Sequence, residues 1–101
     1  MSDAFETALG RELVELGISI LKADSATHGV HDVDRCIIGL ELLREATLIT
    51  RSPETVRRCF AVLWPFARPL TQGDAPECRE LMERMDLSEA RLVALCQAHA
   101  N

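Results

Sequence analysis

Phe5, Leu9, Leu13, Leu16 and Ile20 follow one another at intervals of four, four, three and four, which lines them up on one face of an α-helix but scatters them over both faces of a strand. Val14, Ile18 and Leu21 are expected to widen that face. A helical period returns in each later segment, and no run of alternating β-branched residues interrupts it. An all-α bundle is therefore the economical fold.

Local signals divide the pattern. Asp3 with Glu6 three residues later can form a capping box, opening a first helix over about 3–23. Asp24-Ser25-Ala26-Thr27-His28-Gly29-Val30-His31 is polar, carries a glycine and lacks periodicity, so it reads as a loop. A second helix spans about 32–49, where Cys36, Ile37, Ile38, Leu40, Leu42 and Leu43 spread apolar surface over most of the circumference. Such a helix is usually central, and this one is expected to be the core of the bundle. Ser52-Pro53-Glu54 supplies an N-cap, a proline at the first helical position and an acid suited to the helix dipole. It starts a third helix over about 53–67, with Val56, Cys59, Phe60, Leu63 and Trp64 inward. Pro65 is expected to kink or end that helix, leaving 66–73 as a bent connection. Asp74-Ala75-Pro76-Glu77 starts a fourth helix over about 75–85, and Asp86 or Ser88 caps a fifth over about 88–99. At 101 residues one core suffices, so residues 1–101 are expected to form a single domain of four to five helices.

Charge is unevenly spread. The net −5 divides into acidic ends and a basic middle, where residues 51–73 hold four arginines against one glutamate. No basic leader and no apolar run near the roughly 18 residues of a membrane span is visible, so a cytoplasmic protein without membrane contact is expected. Cys36, Cys59, Cys78 and Cys96 form no C-x-x-C pair; each lies on the apolar side of its helix, as a reduced buried thiol would. Gly10 and Gly17, seven apart, share one side of the first helix and could mark a close helix or dimer contact.

The stretch Arg79 to Leu92 resembles a helix-turn-helix. Leu81, Met85, Leu87, Leu92 and Leu95 stand where that motif packs its helices together, and Leu87-Ser88-Glu89-Ala90 is similar to its turn and recognition-helix start. Met82 replaces the usual alanine, and Asp86 the preferred glycine. The resemblance implies a DNA-binding transcriptional regulator, with Ser88, Glu89 and Arg91 toward the groove and Arg57 or Arg58 on the backbone. Yet six acids face three arginines in residues 74–101, whereas groove binding needs cations against phosphates. Nucleic acid is therefore not the expected partner, and the segment is expected to be a helical hairpin closing the bundle.

Other candidates are few. Arg51, Arg57, Arg58 and Arg68 make a basic patch suited to carboxylates, and Trp64 beside them is the residue type that anchors interfaces. His28 and His31 near Asp24, Asp32 and Asp34 have nitrogen and oxygen donors, but H-x-x-H outside a helix orients none of them, and no metal is expected. Asp24-Ser25 is similar to the attachment site of acyl carrier proteins, but Ala26-Thr27-His28-Gly29 follows in place of that family's apolar helix start, so no cofactor is carried over. No nucleophile and base share a motif, and no glycine-rich loop could cradle phosphate, so an enzyme is not expected. What remains is a module that binds another protein through Arg51, Arg57, Arg58, Trp64 and Arg68, as an adaptor, an inhibitor or immunity-type protein, or a chaperone-like protein. The apolar breadth of the first two helices also admits a homodimer.

Overall fold

Asp3 opens the first helix, but through its own carboxylate alone: Oδ1 accepts the Phe5 amide hydrogen at 2.9 Å, while Glu6 reaches away to Arg44. That hydrogen bond, with Arg51 alongside, holds the Asp3 carboxyl below its ordinary value. The computed structural model describes residues 3–29 and 32–100. Among them four helices and no strand are present: α1 (Ala4–Ala26), α2 (Val33–Thr50), α3 (Pro53–Thr71) and α4 (Pro76–Ala98).

Helix α1 runs a turn past its expected end. Thr27 then closes it, with its hydroxyl donating to the Ala23 and Asp24 carbonyls, before His28 and Gly29 turn left-handed at φ 65° each. Helix α2 ends on Arg51, whose left-handed backbone (φ 46°, ψ 38°) allows the two-residue elbow Arg51-Ser52 into α3. Ser52 stands at the cap position in extended conformation, but its hydroxyl makes no capping bond.

Three expectations are corrected. The helix expected to break at Pro65 continues through both Pro65 and Pro69 to Thr71. Both prolines lie on the exposed face, so the carbonyls of Ala61 and Pro65 that lose a partner can turn to water, while Phe60, Leu63, Ala67 and Leu70 hold the opposite face in the core. The hairpin expected over 75–85 and 88–99 is one unbroken helix, α4. No glycine or proline stands between 85 and 88, and Leu81, Met85, Ser88, Leu92 and Cys96 bury at intervals of four, three, four and four, so one straight stripe gains more than a turn would. Finally, α2 is not the central helix. It buries only Cys36, Leu40, Leu43 and Thr47, and it touches α1 and α3 but not α4.

The helices alternate in direction. Phe5 at the start of α1 meets His99 beyond the end of α4, with ring centroids 5.8 Å apart. Asp3 and Glu6 meet Arg51 and Arg44 at the end of α2, and Thr27 lies beside Gly73 at the opposite pole. This is an up-down-up-down bundle, as short connections between antiparallel neighbours dictate. Helix α4 packs along both α1 and α3, and α1 also reaches α3 across the centre. Phe5, Leu16, Ile20, Phe60, Leu81 and Met85 are among the fully buried side chains that fill the space between them.

Gly39 lies where α2 meets α3, and a Cβ there would stand 2.9 Å from Leu63 Cδ1, so that methyl would have to turn aside. Gly17 has only ordinary contact with Leu40, and Gly10 opens on free space. Thr47 is an oddity of the core: it is fully buried and its hydroxyl has no hydrogen-bond partner. Thr47→Val keeps the shape and removes the desolvated hydroxyl, so it should stabilise the fold by about 1 kcal/mol, read as a higher urea midpoint at unchanged slope.

Candidate functional site

The arginines of the middle segment do not form one patch. Arg51 folds back over α1, its guanidinium 4.5 Å from the Phe5 ring centroid and paired with Asp3. Arg57 lies toward α4, near enough to Glu89 to bear on its charge, while Arg58 leans the other way, toward α2, and pairs with Glu54 at 2.7 Å. Trp64 is half-buried against the core, and Arg68 covers it at 5.4 Å from the ring centroid. Arg51 thus stands at the α2–α3 elbow, Arg57, Trp64 and Arg68 share one side of α3, and Arg58 stands on another.

The residues assigned to a recognition helix are placed otherwise as well. Ser88 has no exposed surface, and its hydroxyl donates to Glu12 of α1 at 2.8 Å. It cannot face a groove because the continuous α4 turns it inward. Glu89 is half-buried, and burial followed by the neighbouring Asp86 raises its carboxyl above the ordinary range, with Arg57 opposing. Arg91 is exposed and stands 3.6 Å from Glu12, which also meets Arg84 at 3.3 Å. Glu12, with its side chain only 12% exposed, is therefore the centre of a polar clasp between α1 and α4. Oε1 of Glu12 accepts from both Arg84 and Ser88, and Oε2 faces Arg91, so this carboxylate ties α4 to α1.

His28 is exposed at the tip of the α1–α2 connection, and His31 lies outside the described residues. Among the described residues no three His, Cys, Asp or Glu side chains gather as a metal site would require. The four thiols are free, and burial raises those of Cys36, Cys59 and Cys96, keeping them protonated and poorly nucleophilic.

What the sequence pattern concealed is on α2. Ile38, Leu42 and Ile49 are 54%, 62% and 76% exposed, on the side opposite Cys36, Leu43 and Thr47. Apolar residues all around this helix thus serve two faces, one inward and one outward, rather than one central position. Beside the outer stripe, Val62 and Phe66 of α3 are also exposed, and between the helices runs a groove of ≈ 370 Å³ floored by Gly39 and Cys59. Arg35 and Arg58 stand on its rim, with the Arg35 guanidinium 5.7 Å from the centroid of Phe66. Helix α1 exposes a second apolar stripe, Val14, Ile18 and Leu21, but the hollow beside it is lined by Glu6, Thr7, Arg11 and Glu15 of the same helix. Val14 also borders a hollow of ≈ 250 Å³ shared with Ile37 and Leu40 of α2, smaller than the groove between α2 and α3 and edged by Glu41 and Arg44.

No family model matches this chain, and searches of curated proteins and of solved structures return no match. Among the described residues no helix is long and apolar enough to cross a membrane.

Proposed function

We propose that this chain is a cytoplasmic module that works by binding another protein, with the outer face of α2 and the adjoining flank of α3 as its docking surface. The observation that carries the reading is the exposed stripe of Ile38, Leu42 and Ile49, continued by Val62 and Phe66. Full burial of such a side chain is worth roughly 1.5–3 kcal/mol, and each of these leaves on the order of half of that unrealised. A contiguous apolar patch rimmed by charge is the usual mark of a protein contact. Arg58, with Arg35, stands on that rim, where a guanidinium can engage a partner's carboxylate; its present bond to Glu54 is an exposed pair one helical turn apart and is easily exchanged. Arg51 is committed to Asp3 and Phe5, and Arg57, Trp64 and Arg68 turn to the other side of α3, so of the five arginine and tryptophan positions only Arg58 belongs to the proposed surface. The same face would serve an adaptor, an inhibitor or a chaperone-like protein.

A photo-crosslinking amino acid placed at Val62 tests the reading in living cells against one placed at Met82, an exposed apolar position on α4. Irradiation should give a protein adduct from position 62 and none from position 82. Equal yields at both positions, or none at Val62, would sink it.

A further inference from the structure

The outward stripe of α2 begins with Arg35 and continues through Ile38, Leu42 and Glu45, and these four fall within about 80° of arc at about 100° per residue. Their intervals are three, four and three. That series is the same read in either direction, so a second α2 laid antiparallel across the first brings Ile38 against Leu42 and Leu42 against Ile38. The same superposition places Arg35 of each copy beside Glu45 of the other. Apolar residues meet at the centre and opposite charges meet at both ends, which is the self-complementarity that a two-fold interface requires.

From this register the geometry points to a second copy of this chain as the occupant of the α2–α3 face, in an antiparallel, two-fold dimer centred between Ile38 and Leu42. The inference rests on the reading that this face docks a protein. Charge favours the same half of the molecule. Residues 32–73 hold six arginines and five carboxylates, whereas the remainder of the chain carries all of the acidic excess, so copies approach with least repulsion through α2 and α3. The present partners of the two end residues do not hold them back. Arg35 pairs with Asp32 at 2.9 Å and Glu45 with Arg44 at 2.9 Å, all four side chains being 42% exposed or more. Size is adequate as well. Helix α2 has 18 residues and is about 27 Å long, and with the flank of α3 beside it offers room for a standard interface, which buries roughly 800 Å² per partner. The stripe on α1 lacks this symmetry: Arg11, Val14, Ile18 and Leu21 place no acid where reversal would put one against Arg11.

Sedimentation equilibrium on the full chain tests the inference. The protein should be dimeric well below roughly 100 µM. Leu42→Glu should sediment as a monomer with its helical circular dichroism intact, because Leu42 is outside the core; Ile38→Glu is the second variant should the first fold poorly. Arg35→Glu and Glu45→Arg should each weaken the dimer at least about tenfold, since each sets like charges together twice. The double variant Arg35→Glu/Glu45→Arg should restore most of the loss. A monomeric wild type at roughly 100 µM, a dimer indifferent to both apolar variants, or a double variant no tighter than the single ones would each overturn it. If the wild type is monomeric while the probe at Val62 captures a different protein, the dimer fails and the broader reading stands. No adduct at Val62 and no dimer removes both.

Discussion

Leu87→Pro should destabilise the protein by about 3 kcal/mol or more, a fall in Tm on the order of 15 °C for a chain of this size. Leu87 is 41% exposed, so little packing leaves with its side chain, and Leu87→Ala should cost well under half as much. The loss comes from the backbone. Proline at 87 removes an amide from the middle of α4 and drives its ring into the carbonyl one turn back. The resulting kink would fall between Leu81 and Met85 on one side and Ser88, Leu92 and Cys96 on the other, parting two halves of a buried stripe. It would also divide the clasp on Glu12, whose partners Arg84 and Ser88 lie on opposite sides of the substituted position. Had a turn stood at 86–88, proline would be at home there. Thermal and urea melts of the two variants decide it, and a loss under about 1 kcal/mol for the proline variant would speak for a hinge.

Phe5→Ala should be comparably severe, costing about 3–5 kcal/mol, because it empties a fully buried aromatic site where three parts of the chain meet. The Phe5 ring lies against His99 beyond α4 and beneath the Arg51 guanidinium at the α2–α3 elbow. Arg51 itself has a left-handed backbone, uncommon for a residue with a Cβ, with its amide donating to the Thr47 carbonyl at 2.8 Å and its guanidinium against Phe5 and Asp3. Phe5→Leu separates the two contributions: it keeps most of the buried volume and loses the ring face. In a double-mutant cycle with Arg51→Ala, the coupling between positions 5 and 51 should come to about 0.5–1 kcal/mol or more, and a coupling near zero would show that the stacked cation adds nothing.

The helical period of Phe5 through Ile20 was enough to fix α1 and its inward face, because five of its six buried positions are large apolar residues at unambiguous spacing. Ser52-Pro53 likewise marked the start of α3 to the residue. Boundaries failed where a single residue had to outweigh a buried stripe. Pro65 and Pro69 each cost α3 a backbone hydrogen bond, but the buried run Phe60, Leu63, Ala67 and Leu70 carries the helix past them, and Asp86 and Ser88 are good cap residues that α4 absorbs into its run. The candidate surface was hidden for a different reason. Sequence shows that Ile38 and Leu42 are apolar but not which of two opposed apolar faces the bundle will cover, and with Cys36, Leu40 and Leu43 on the same helix both faces looked like core. The basic cluster reads as one patch because its members are neighbours in sequence, yet the roughly 100° between consecutive helical residues is enough to turn Arg57 toward α4 and Arg58 toward α2.

Helix α2 buries four residues, the fewest of the four helices, is tied to α3 by a two-residue elbow and carries an unpartnered hydroxyl in its buried face. Local stability follows from the number of apolar contacts that must be undone, so α2 is the segment whose amide hydrogens should exchange by a partial opening, while those of α4 wait for the whole domain to unfold. Whatever protein covers Ile38 and Leu42 would then be legible without any labelled partner, as a slowing of exchange from Cys36 to Thr47 on the far side of the same helix.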